Sequence, residues 1–119
     1  MTKQELVATL NVAYAVAGVD GFSDEEKQVL AKELLSYKLP EEDNQLIMQA
    51  YNEMTILEAV NIIAQANEDV KKEASALIIY AIIADRNATE METGAHRLMV
   101  KLLDLPLIEF EEAQRILGF

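Results

Sequence analysis

Residues 74–84 read Ala-Ser-Ala-Leu-Ile-Ile-Tyr-Ala-Ile-Ile-Ala, an uncharged run of 11 residues, and Val12–Val19 reads Val-Ala-Tyr-Ala-Val-Ala-Gly-Val. Wound as helices, Val12–Val19 and Ala76–Ala84 have no polar face, and a helix that is apolar all round belongs in an interior. Two central helices are therefore expected. The small residues Ala13, Ala17, Gly18, Ala81 and Ala84 would let their backbones approach closely. Neither run reaches the roughly 20 apolar residues needed to span a bilayer.

Outward from these runs, helix starts are marked by capping boxes, in which a Ser or Thr caps the first turn and a Glu three residues on reaches back. Four occur: Thr2/Glu5, Ser23/Glu26, Thr55/Glu58 and Thr89/Glu92. Pro40 and Pro106 each precede acidic residues and are read as opening two further helices, and Asn67 as capping a seventh. The predicted helices run near 2–19, 23–38, 40–53, 55–66, 67–85, 89–104 and 106–118. With four glycines, two prolines and no strand-like alternation, the expected fold is all-α, a single-domain bundle of about seven helices over residues 1–119.

A shift of 66 lays the second half over the first. Ser23 falls on Thr89, Glu26 on Glu92, Leu34 on Val100, Leu39 on Leu105, Pro40 on Pro106 and Asp43 on Glu109. Leu30 meets His96 and Leu35 meets Lys101, so the match is imperfect. The pattern predicts two pseudo-twofold-related three-helix units, 2–53 and 67–118, joined by a linking helix at 55–66. That linking helix carries Ile56, Leu57, Val60 and Ile63 at helical spacing with only a thin polar stripe, and part of it is expected to meet another copy or a partner.

Charge and composition exclude more than they identify. Asp plus Glu number 21 against 10 Lys plus Arg, a formal net charge of −11, which argues against nucleic acid or an anionic membrane surface as partner. Many of the acids fall in first turns, where the helix dipole favours a carboxylate. Cysteine is absent, which removes disulfides, thiolate zinc sites and cysteine nucleophiles. Met1-Thr-Lys-Gln-Glu leads directly into the amphipathic pattern with no export-signal character, so a cytoplasmic protein is expected.

The segments VAYAVAGVDGFSDEEKQVLAKELL (12–35) and YAIIADRNATEMETGAHRLM (80–99) resemble the two signature stretches of the TerB-like tellurite-resistance family, small all-helical domains with an internal duplication. The family pattern, an Ala-rich helix ending in Asp-Gly, then Ser or Thr and a Glu within the next turn, maps onto Asp20, Gly21, Ser23 and Glu26, and onto Asp85, Thr89 and Glu92. Two departures stand out: the first loop is one residue shorter, and Arg86 replaces the glycine in the second copy. The resemblance implies a non-enzymatic, stress-associated binding module with a protein partner and weak divalent-cation binding through Asp20, Glu26, Asp85 and Glu92. Oxygen donors of this kind suit Ca²⁺ or Mg²⁺ rather than zinc.

The residues themselves leave alternatives. Asp20 and Asp85 follow the two apolar helices, where a carboxylate faces the unfavourable end of the dipole; an Asx-type turn is the first reading of these residues and a bound cation the second. His96 replaces a core leucine and reads as a packed or interface histidine rather than a ligand or base. A Ser-His-Asp triad would need Ser23, Ser36 or Ser75, none in a nucleophile-elbow motif. Met48, Met54, Met91 and Met99 read as gap-fillers. The rival to the binding module is a structural homo-oligomer without ligand, assembled through the linking helix; a hydrolase ranks below both.

Overall fold

The computed structural model describes residues 2–17, 44–84 and 90–118. Among the described residues there are helices and no strand: α1 (Lys3–Ala17), α2 (Asn44–Glu53), α3 (Ile56–Ala64), α4 (Glu68–Ala84), α5 (Glu90–Leu103) and α6 (Phe110–Leu117). The helix expected at 23–38, the start expected at Pro40 and the cap expected at Thr89 lie outside the described residues. The radius of gyration, 12.9 Å, is near the roughly 13.5 Å of one compact domain of this length.

Three of the expected caps form. The Thr2 N–H donates to Glu5 Oε1 at 2.8 Å while the Glu5 N–H donates to Thr2 Oγ1 at 3.1 Å, a reciprocal capping box. At α3 the Glu58 N–H donates to Thr55 Oγ1 at 3.2 Å, but the Glu58 carboxylate accepts from the Thr55 hydroxyl at 3.1 Å rather than from the backbone. Asn67 Oδ1 accepts the Val70 N–H at 2.9 Å and starts α4. Each cap contributes about 1 kcal/mol by supplying a partner to an orphan amide of the first turn.

α1 and α4 pack most extensively on each other and share the centre. On α1 every residue from Leu6 to Leu10 is buried, as are Val12, Ala13, Tyr14 and Val16; on α4 the run Ala74–Ile79 is buried without a break. α2, α3 and α5 also pack on α1, and α6 lies on α4. Two polar residues on the central helices are fully buried, and both hydroxyls are satisfied. Thr9 donates to the Glu5 carbonyl at 2.8 Å, one turn back, and Ser75 donates to the Pro106 carbonyl at 2.7 Å, 31 residues away.

That second bond accompanies a correction. The helix expected to open at Pro106 starts instead at Phe110, with Glu109 in the cap position and no side-chain cap bond. α5 ends at Leu103; Asp104 takes a left-handed φ of 52°, and the Leu105 N–H reaches back to the Val100 carbonyl at 3.0 Å. This 6→1 closure places Leu105 in the core, and Ser75 ties down the next carbonyl. The chain therefore crosses α4 outside helical conformation before α6 begins.

The linking helix α3 divides along its length. Ala59 and Ile63 are fully buried and Val60 half-buried, whereas Ile56 and Leu57 at its start are 41% and 79% exposed. The face expected to pair with another copy is thus largely spent on the core from Ala59 onward.

Ala13 is fully buried in α1 and Ala15, two positions on, is exposed. Ala13→Leu is expected to overpack the centre and cost about 1–3 kcal/mol, while Ala15→Leu stays within about 0.5 kcal/mol. Urea denaturation of the two variants measures the difference.

Candidate functional site

Of the four acidic residues singled out in the sequence, Asp20, Glu26 and Asp85 lie outside the described residues. Glu92 stands in the first turn of α5, and its side chain is not among those described. In sequence, Asp85 follows Ala84 of α4 and Asp20 follows Ala17 of α1 by three positions. Among the described residues no three His, Asp or Glu side chains gather as a metal-binding group. Several described acids have structural partners: Glu5 and Glu58 in caps, and Glu112 in a 3.7 Å ion pair with Lys72 that joins α6 to α4. Both members of that pair are substantially exposed, so it contributes little.

Among the described residues, two buried side-chain polar atoms lack a partner. The Tyr14 hydroxyl is one, at the end of a ring that meets Tyr51 of α2 edge to face, with centroids 5.1 Å apart and an interplanar angle of 77°. Burial, and secondarily the neighbouring Tyr51, raises the Tyr14 phenol above its usual pKa, so it stays protonated. The other is His96 Nε2 on α5. Burial first, and the adjacent Arg97 second, hold the His96 pKa below its ordinary value, so the ring is neutral near pH 7. Its half-buried place accords with a packed histidine. Ser75, the described member of the serines considered for a triad, has its hydroxyl engaged with Pro106.

The surface offers a groove and a set of uncovered apolar side chains. The groove, about 530 Å³, lies between the start of α1, α2 and the α2–α3 junction. Val7, Ile47, Ala50 and Met54 form its apolar lining, with Lys3, Glu53 and Glu58 among its polar residues. Leu46, which also lines it, is 64% exposed. On α5, Met91, Leu98 and Leu102 are 56%, 55% and 61% exposed. Met91 is therefore no gap-filler, unlike Met48, Met54 and Met99, which pack half-buried against the core. Sequence reasoning missed the α5 surface because the helix is apolar over a broad arc, and periodicity alone does not say which part of that arc the core takes.

No family model matches the chain, and no curated protein matches it. Among solved structures the chain is similar to the crystal structure of a protein of unknown function, PG1108, from Porphyromonas gingivalis W83. The TM-score is 0.81 at 22% sequence identity, with 100% of this chain and 91% of that chain covered. At this identity the likeness carries the fold alone.

Two predictions follow from the orphaned polar atoms. Tyr14→Phe keeps the aromatic contact and removes an unpartnered hydroxyl, so it is expected to raise the unfolding free energy by about 1 kcal/mol. For His96 the folded-state pKa lies below the unfolded value. As pH falls through the unfolded pKa near 6.5, the unfolded chain takes up a proton that the folded chain resists, and stability is lost. His96→Leu should therefore gain stability relative to wild type at pH 5.5 compared with pH 7.5. Equal differences at the two pH values, read by thermal melting, would contradict this.

Proposed function

We propose that this chain is a non-enzymatic, TerB-like helical binding module, cytoplasmic and associated with stress or tellurite resistance. In this reading it engages a protein partner through apolar helix surface outside its core. The observation that carries it is the exposure of large apolar side chains on helices whose other side builds the core: Leu98 and Leu102 on α5 and Leu57 on α3 are all more than half exposed. Large apolar side chains left in water at helical spacing, as Leu98 and Leu102 are, are the kind of surface that a partner covers. The burial of both apolar runs, packed against each other on α1 and α4, supports the internal duplication that the TerB-like resemblance implies.

The same reading assigns a divalent cation to Asp20, Glu26, Asp85 and Glu92. All four are carboxylates, donors suited to a hard ion such as Ca²⁺ or Mg²⁺. When bound, the ion would supply charge neutralisation at the exits of α1 and α4, where the helix dipole disfavours Asp20 and Asp85. Asp20 carries the greater share, since Gly21 permits a tight loop whereas Arg86 follows Asp85. The rival reading, a ligand-free homo-oligomer through α3, is favoured by the exposure of Ile56 and Leu57 alone.

Calorimetric titration of Ca²⁺ and Mg²⁺ into wild type, Asp20→Asn and Asp85→Asn tests the cation. Weak heats lost more completely in Asp20→Asn are expected. Equal heats in all three, or none in wild type, would return both residues to turn formation. Light scattering through a dilution series separates the rival, which requires a mass that rises with concentration.

A further inference from the structure

Met91, Ala95, Leu98 and Leu102 stand at intervals of four, three and four along α5, the spacing that keeps side chains on one helix face and that coiled-coil seams use. Met91, Leu98 and Leu102 are more than half exposed, while Leu103 is buried and Met99 and Val100 are half-buried on the side that meets the core. The apolar arc of α5 is thus wider than the body of the protein covers.

One border of this stripe is cationic. Arg97 and Lys101 sit one turn apart, each immediately before an exposed leucine, and both are exposed. Neither makes an ion pair with a described residue. In a chain with 10 basic and 21 acidic residues, two neighbouring cations with no ion pair among the described residues stand out beside a leucine pair. Helix-dipole compensation near the C-terminus of α5 accounts for Lys101 but leaves the run of exposed leucines unexplained.

We propose that this face of α5 is the docking surface for an amphipathic helix with acidic flanks, belonging to a partner protein. The proposal rests on the binding-module reading and supplies its surface and the chemistry of its partner. Leucine-sized side chains of the incoming helix pack between Met91, Leu98 and Leu102, and its flanking carboxylates meet Arg97 and Lys101 as e and g charges do in paired helices. A second copy fits less well, because an antiparallel isologous contact along this stripe brings Arg97 and Lys101 of both copies to the same side.

The probe is a pair of fluorescent synthetic helical peptides with the same Leu/Ile seam, one with Glu and one with Lys at the flanking positions, titrated by anisotropy. Wild type is expected to prefer the Glu peptide, with binding weakened by salt. Arg97→Glu with Lys101→Glu is expected to reverse the preference. Leu98→Ser with Leu102→Ser is expected to weaken both peptides about tenfold or more. Thermal melts of both double variants should match wild type, because all four positions are exposed. Equal affinity for the two peptides, or unchanged binding by the serine variant, would overturn the proposal. So would self-association of wild type that the serine variant loses, which would make a second copy the occupant. Affinity capture from native lysate separates the two levels. A partner retained by the serine variant keeps the module reading and removes this surface, whereas no partner for wild type removes both.

Discussion

Two helices whose apolar runs have almost no polar surface have to bury those runs from several sides, and that requirement organises the rest of the structure. α1 and α4 bury residues round most of their circumference, so each needs the other and several neighbours besides. A fully buried Leu or Ile contributes about 1.5–3 kcal/mol, and Leu10, Leu77 and Ile78 are all fully buried. The peripheral helices can therefore be short and marginal on their own. α6 has 8 residues and α3 has 9, lengths at which an isolated helix does not hold in water, and each is fixed by docking buried alanine and isoleucine or leucine residues on the central pair.

Burying helices so completely also constrains their polar atoms. Thr9 and Ser75 occupy equivalent depths on α1 and α4 and solve the same problem differently. The Thr9 hydroxyl bonds back within its own helix, which costs no tertiary arrangement. The Ser75 hydroxyl reaches the carbonyl of Pro106, so burial of one small polar residue is coupled to the path of a connection 31 residues away. Tyr14 and His96 are the exceptions, buried polar atoms without a partner, and each holds its side chain in the neutral form. Such orphans cost stability, which makes them sensitive places to perturb the fold.

α5 presents the opposite kind of surplus. α5 is needed in the core for Leu103, and it brings with it more apolar surface than the core uses. The exposed part is regularly spaced and bordered by Arg97 and Lys101, whereas the exposed Leu57 and Ile56 lie at one end of a helix that is otherwise spent on packing. A regular stripe with a charged border can specify a partner's register and charge; two neighbouring apolar residues at a helix start cannot.

Much of this was determined by the amino-acid sequence itself. The helical class, the central place of the two apolar runs, and the caps at Thr2, Thr55 and Asn67 depend on local periodicity and on hydrogen bonds within four residues, and such interactions are written in short stretches of chain. The start of α6 was not legible, because Pro106 satisfies every local rule for a first helical residue and is diverted by a left-handed Asp104, a buried Leu105 and a hydroxyl from α4. Nor was the division of α3 and α5 into covered and uncovered apolar faces. A sequence records how wide an apolar arc is, but only the neighbours that pack against it decide how much stays in water. That allocation is made by tertiary structure, and it is what separates Leu103 in the core from Leu102 beside it on the surface.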